Sequence, residues 1–457
     1  IIYLHLLCFT YIRISVCNEG LKEPVSRKQA IQMVGREVSL VLLLGTMIFW
    51  GVEGGDGFIT ARGPRLMLNG SPFYVNGFNA YWLMYMATEP SERIKVTSIF
   101  RQAQQHGLKL ARTWAFNDGQ YRALQISPGF YNERAFQGLD FVIAEAKNFG
   151  IKLLLSLGNN YPSFGGRTQY VNWARNQGQP VYSDDDFFSN RLIREFYKNN
   201  IRRMLTRRNS ITGVVYRDDP TIMGWELMNE PRCPSDPSGR TIQAWIAEMA
   251  SFVKSIDRNH LLEAGLEGFY GLASSYRNMY NPNFQVGTDF IKNNQIPGID
   301  FVTVHSYPDE WLTSSGDYER QMFLKKWIEI HIHDAQNILG KPLLFAEFGK
   351  SMRVSSTSQR DEVYRIVYNS VLSSASTGGV AIGSAFWQLL AEGMDSFRDG
   401  YEVDLSRNPT TAGVIAYQSL KLNQLRSRFR RRTNMASWRS LNRSKWWSER
   451  DADGTET

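Results

Sequence analysis

Beyond residue 55, two apolar patterns alternate along the chain. Short, nearly continuous apolar runs end at Trp82 and recur at Leu108–Phe116, Ile151–Asn160, Ile222–Glu230, Leu261–Gly268, Phe301–Pro308, Pro342–Gly349 and Gly383–Leu389, eight in all. They lack the polar alternation of a sheet with one wet face, so they read as strands covered on both sides. Between them lie stretches such as SERIKVTSIFRQAQQHG, ERAFQGLDFVIAEAKNFG, TIQAWIAEMASFVKSIDRN and DEVYRIVYNSVLSSAS, with apolar residues three and four apart, the pattern of amphipathic helices. Strand then helix, repeated in this way, predicts a parallel sheet inside a helical layer. Eight units at this length favour an α/β fold of one closed (β/α)8 barrel over an open doubly wound sheet. Ahead of the first strand, RLMLNGSPFYVNG predicts a short N-terminal β-hairpin turning at Asn69-Gly70. No glycine-rich phosphate loop follows the first strand, which removes support for nucleotide binding. Neither a second domain nor an internal repeat is evident.

The net charge of +8 changes this picture only at the ends. Residues 426–457 carry +5 and residues 1–54 carry +1, leaving +2 on 55–425. The basic tail reads as a solvated, flexible extension, or alternatively as a contact for acidic polymers. It matches no nucleic-acid module, so no nucleic-acid partner is expected. The three cysteines, Cys8, Cys17 and Cys233, support no disulfide framework. Val38–Trp50 is a thirteen-residue apolar block, short for a bilayer span and of the length of a signal-peptide core; Met33 and Arg36 precede it. The expectation is a secreted, extracellular protein with 1–54 removed, no membrane segment in its mature form, a catalytic domain over 55–425 and a tail over 426–457. The sequons at Asn69 and Asn442 fit that route.

In such a barrel, chemistry collects at the C-terminal ends of the strands. Those ends offer Asn79 and Trp82, Arg112 and Trp114, Asn159 and Asn160, Asn229 and Glu230, Glu267, His305 and Tyr307, Glu347, and Trp387. Carboxylates, amides and aromatic rings around one opening suit glycoside hydrolysis, which needs two carboxyl groups flanking an acetal and an aromatic floor under a sugar. Glu230 closes an apolar run before Pro231; capping or ion pairing is the structural alternative. Glu226, a strand repeat lower, reads as a buried structural partner. Strict alternation sends Asn229 and Glu230 to opposite faces, so a shared site requires irregular backbone there. His331–Asp334 (HIHD) looks ligand-like, yet helix residues two apart diverge, so it reads as a solvated helix face and no metal is expected.

WELMNEP, VTVHSY, LLFAEFGK and FWQL, in this order and spacing, resemble glycoside hydrolase family five, of clan A. Longer stretches, including RTQYVNWARNQGQPV, RRNSITGVVYRDDPTIMGWELMNEPRC and HLLEAGLEGFYG, resemble the plant endo-β-1,4-mannanases within it, and the similarity runs from about Gly57 to Leu425. The resemblance implies a cofactor-free, retaining, endo-acting hydrolase of mannan, galactomannan and glucomannan in plant cell walls, able to transglycosylate. It implies Glu230 as acid/base and Glu347 as nucleophile. Arg112 and Tyr307 would hold the nucleophile ionised, Asn229 would bond the sugar 2-hydroxyl, and His305 would shape the acid/base side. Trp387 would floor the cleaved subsite, with Trp114 among the substrate-binding residues. Two alternatives stay open: another family-five glycanase such as a cellulase, and a non-catalytic polysaccharide-binding protein, against which the presence of both carboxylates speaks.

Overall fold

The computed structural model of the protein describes residues 57–282 and 285–429. The expected leader over 1–54, Cys8, Cys17, Asn442 and the tail beyond residue 429 lie outside the described residues.

The chain enters through a three-stranded antiparallel meander, β1 (Thr60–Arg62), β2 (Arg65–Leu68) and β3 (Ser71–Pro72). The expected hairpin is its second half. Asn69 and Gly70 both take positive φ, 51° and 75°, the backbone that matches a two-residue turn to strand twist. Ile59, Leu66 and Phe73 pack into one apolar cluster with Val75, Leu110, Leu154, Met223, Leu261, Phe301, Leu344 and Ile382 from the barrel strands, so the meander stops the N-terminal end of the barrel.

All eight expected strands form: β4 (Val75–Asn79), β5 (Leu110–Trp114), β6 (Lys152–Ser156), β7 (Ile222–Glu226), β8 (Leu261–Glu263), β9 (Val302–Ser306), β10 (Leu343–Phe348) and β11 (Ala381–Phe386). They pair in parallel, in the order β8-β7-β6-β5-β4-β11-β10-β9. The β8–β9 seam is closed by irregular backbone bonds, Asp300 N to Leu262 O at 2.8 Å and His305 N to Glu267 O at 2.9 Å. The strands stop earlier than their apolar runs, and β7 ends at Glu226 rather than Glu230.

A second, larger cluster lies between sheet and helices. The helix Glu133–Asn148 shows how it is filled. Ala135, Phe136, Leu139, Val142, Ile143 and Ala146 make one buried stripe, and Asn132 caps the first turn by accepting from Arg134 N. Truncating Leu139 to alanine there would cost about 2–5 kcal/mol.

Two expectations need correction. His331 is fully buried, not solvated: its ring nitrogens meet Trp327 O and Gly268 O, and burial holds it neutral with a pKa of about 4. Asp334 is buried as well, bound by Arg277 and Tyr270, and only His333 faces out. Their helix, Asp317–Asp334, packs beneath the loop after β8, a contact 63 residues away in sequence. The barrel also does not end at 425. A last helix runs over 409–429, with Arg426 over the Phe73 ring and Phe429 against Tyr74.

Candidate active site

Two backbone irregularities aim the carboxylates. On β10, Phe345 pairs with Val304 and Glu347 with His305, so Ala346 is an extra residue, a β-bulge. Ala346 therefore packs in the apolar cluster inside the barrel, Phe348 joins the outer cluster, and Glu347 turns to the mouth, where strict alternation would have sent it outward. After β7, Glu230 takes φ 52°, and its N–H is held by Gly265 O at 2.9 Å. Gly265 has φ 83°, and a Cβ there would lie 1.7 Å from Met228 O, so only glycine fits. This kink lets Asn229 and Glu230 share the site, the irregularity their spacing demanded.

Arg112 organises the floor. It is fully buried, and its five N–H groups are all used: Nε and Nη2 on the two oxygens of Glu226 (2.5 and 2.7 Å), Nη2 on Asn229 Oδ1 (2.7 Å), and Nη1 on Asn79 Oδ1 (3.0 Å) and Glu347 Oε1 (2.5 Å). Glu226 is the structural partner expected of it. With no donor left for a sugar, Arg112 acts on substrate only through Glu347 and Asn229. The other oxygen of Glu347 accepts from Tyr307 Oη at 2.7 Å. Asn229 donates one N–H to Asn159 Oδ1 at 3.0 Å. The second has no partner among the described residues.

Glu230 sits across from Glu347. Its Oε1 lies 2.5 Å from His305 Nδ1, which is itself 3.6 Å from Glu347 Oε2, and its Oε2 accepts from Tyr161 Oη at 2.8 Å. Burial pushes the Glu230 carboxyl up, but the hydrogen bond and charge of His305, with Arg232 and Tyr161, outweigh it and bring it to about 2. Burial and then the charge of Glu230 push Glu347 up, against His305, Arg112 and Tyr307. Read alone, these directions oppose an acid at Glu230 and a nucleophile at Glu347. The geometry reconciles them. One proton lies between Nδ1 and Oε1, and drawing it on His305 makes Glu230 look ionised, whereas drawing it on Glu230 leaves an acid. His305 Nε2 has no partner among the described residues and carries a hydrogen in either drawing; leaving the shared proton on the carboxyl makes the buried pair neutral, the form that burial favours. Glu347, with two donors of its own, is the carboxylate that stays charged.

Aromatic rings form the wall. Trp387 stacks on Tyr81, centroids 5.4 Å apart and 9° from parallel, and its Nε1 donates to Asp399 at 2.6 Å. Trp114 lies deeper than Trp387. It is only 4% exposed, with Arg112 over its ring and Phe116 stacked on it, so it braces Arg112 and Trp387 from behind. Trp82 is fully buried, bonded to Leu389 O, and outside the site. Glu267 pairs with Arg232 beside Glu230 and is pushed up to about 8, mainly by burial and then by the charge of Glu230.

The structure thus brings Arg112, Asn229, Glu230, His305, Tyr307, Glu347 and Trp387 to one mouth, with Trp114 behind them. Sequence reasoning missed Tyr161, Tyr81, Arg232 and Glu263. Tyr161 directly follows Asn160 at the end of an apolar run, so reading one residue further would have found it. Among the described residues Glu230, His305 and Glu347 could also be drawn as a metal triad, their closest atoms all within 4.8 Å. Those atoms are already engaged by each other, Arg112 and Tyr307, and the guanidinium opposes a cation. The set instead offers a carboxylate held by two donors, a facing carboxyl with a proton within reach, and a partly exposed aromatic ring.

Residues 56–394 match the family model described as GH family 5 beta-mannosidase-like. Mannan endo-1,4-beta-mannosidase 7 of Arabidopsis thaliana is 59% identical over 84% of this chain and 89% of its own, and mannan endo-1,4-beta-mannosidase 1 of Oryza sativa is 58% identical over 86% and 92%. Among solved structures, the endo-1,4-β-D-mannanase of Thermotoga petrophila is 33% identical with a TM-score of 0.68, covering 76% of this chain and all of that one.

Proposed function

Because this chain belongs to the β-mannosidase-like branch of glycoside hydrolase family five, we propose that its paired carboxylates cleave internal β-1,4-mannosidic bonds of mannan, galactomannan and glucomannan by double displacement. The observation that carries the mechanism is the separation of the carboxylates. Facing oxygens of Glu230 and Glu347 within 4.8 Å leave no room for the water that inversion places between them, and suit direct attack. In the first step Glu347, aimed by Arg112 and Tyr307, bonds to the anomeric carbon while Glu230 gives its proton to the departing oxygen. In the second step Glu230 takes a proton from water, which displaces Glu347 with net retention. A sugar hydroxyl can replace that water, which is transglycosylation. Asn229 meets the sugar 2-hydroxyl with its remaining N–H, and Trp387 carries the ring. Every step uses side chains of this chain and water alone.

The test is reducing-end release from mannan, glucomannan and carboxymethyl cellulose side by side. Mannan and glucomannan are cut; cutting of the cellulose derivative alone would favour a cellulase, and no cutting a binding protein. Export to the cell wall is part of the same proposal, supported by the Val38–Trp50 block. N-terminal sequencing of secreted protein should start near Gly54 or Gly55, and a start before Met33 would contradict it. The basic tail then adds attraction to acidic wall polymers.

A further inference from the structure

A further carboxyl group lies under the site and takes no part in the mechanism above. Glu263 on β8 is the register partner of Glu226 on β7, and both are fully buried. Glu226 spends its two oxygens on Arg112. Glu263 divides its own unequally. Oε2 accepts from Gly265 N and from Thr303 Oγ1 at 2.9 Å, whereas Oε1 meets no donor among the described residues. Two ionised carboxylates side by side in a dry interior repel, and the single guanidinium near them already serves Glu226 and Glu347. A proton on Glu263 Oε1 removes that repulsion and gives the bare oxygen a partner, because Glu226 then accepts from it. The titratable or charged groups facing Glu263 are Glu226 and Arg112, and burial, then Glu226, drive it toward the neutral form.

We infer that Glu263 is a carboxylic acid at working pH and donates its proton to Glu226, which makes it a positioning residue for Arg112 and, through Arg112, for Glu347. Held by this bond, Glu226 stays charged and aimed, and Arg112 keeps its other donors for Glu347, Asn229 and Asn79. The positioning role rests on Glu347 being the nucleophile; the protonation does not.

The first readout is the infrared difference spectrum between the full-length protein and its Glu263→Gln variant, without substrate at neutral pH. Loss of a protonated-carboxyl band in the variant is expected, and Asp118, Glu267, Glu310 and Glu347, whose carboxyls are also raised, are common to both proteins and cancel in the difference. The amide can donate to Glu226 as the acid does, so both limbs of the pH profile should stay in place and kcat within about twofold. Glu263→Met, which cannot donate, should lower kcat on the order of tenfold. Absence of the band, a shifted acidic limb in Glu263→Gln, or wild-type kcat in Glu263→Met would each overturn the inference. Should the methionine variant fail to fold, the glutamine spectrum still decides. A wild type that shows the band but leaves mannan intact would overturn the proposed function and not this protonation.

Discussion

Replacing Tyr307 with phenylalanine removes one oxygen and little else. The ring contacts to Trp311 and Tyr401 survive, and Arg112 still holds the other oxygen of Glu347. What is lost is the 2.7 Å bond to Glu347 Oε2, which the ionised carboxyl accepts more strongly than the neutral acid does. A hydrogen bond to a charged group contributes about 1.5–3 kcal/mol, and one pH unit corresponds to about 1.4 kcal/mol. The acidic limb of kcat/KM should therefore move up by about one to two pH units. Stability carries the same signature. Burial already raises Glu347 above its ordinary 4.5, so its charge is a destabilising contribution that is absent when it is protonated in both folded and unfolded chains and grows as pH rises through the folded value. Tyr307→Phe enlarges that contribution, so Tm should fall at pH 7 and stay near wild type at pH 4. The assays are a pH–rate series on soluble mannan and thermal unfolding at the two pH values. An acidic limb that does not move, or an equal loss of Tm at both, would show that Tyr307 does not hold the charge of Glu347.

Gly265→Ala combines a left-handed backbone, costing about 1–2 kcal/mol in a residue with a Cβ, with an overlap on Met228 O. Because Gly265 O anchors Glu230 N, kcat should fall together with Tm, and a variant with wild-type kcat would refute the anchoring role. Ending the chain at residue 429 should leave kcat on soluble mannan unchanged and weaken low-salt retention on polygalacturonate, an attraction that salt screens. Equal retention of the two lengths would refute the tail's part.

The strands were legible because a parallel sheet buried on both faces writes itself as apolar runs, and the turn at Asn69-Gly70 because few other pairs accept two positive φ angles. The aim of the catalytic side chains was less legible. Glu347 points inward only because Ala346 is a bulge, and a bulge depends on pairing with β9 that no local pattern encodes. Glu230 was placed by its position after an apolar run, but its kink is fixed by Gly265, 35 residues on. His331 was misread because much of its burial comes from outside its own helix, from Gly268 O, Tyr270 and Phe290. Glu263 went unnoticed because a carboxyl inside an apolar run reads like Glu226 until the register shows that the two are neighbours.

The roles of Glu230 and Glu347 are separated most directly by azide trapping with an activated β-mannoside. If Glu347 is the nucleophile, Glu347→Gly leaves a hole from which azide attacks once, giving an α-mannosyl azide. If Glu230 is the acid/base, Glu230→Gly still forms the covalent intermediate, since a good leaving group needs little protonation, and azide completes a second displacement to the β-azide. Proton NMR reads the anomers. The α-azide from Glu347→Gly and the β-azide from Glu230→Gly are expected; swapped anomers, or full activity of either variant on mannan without azide, would contradict the assignment.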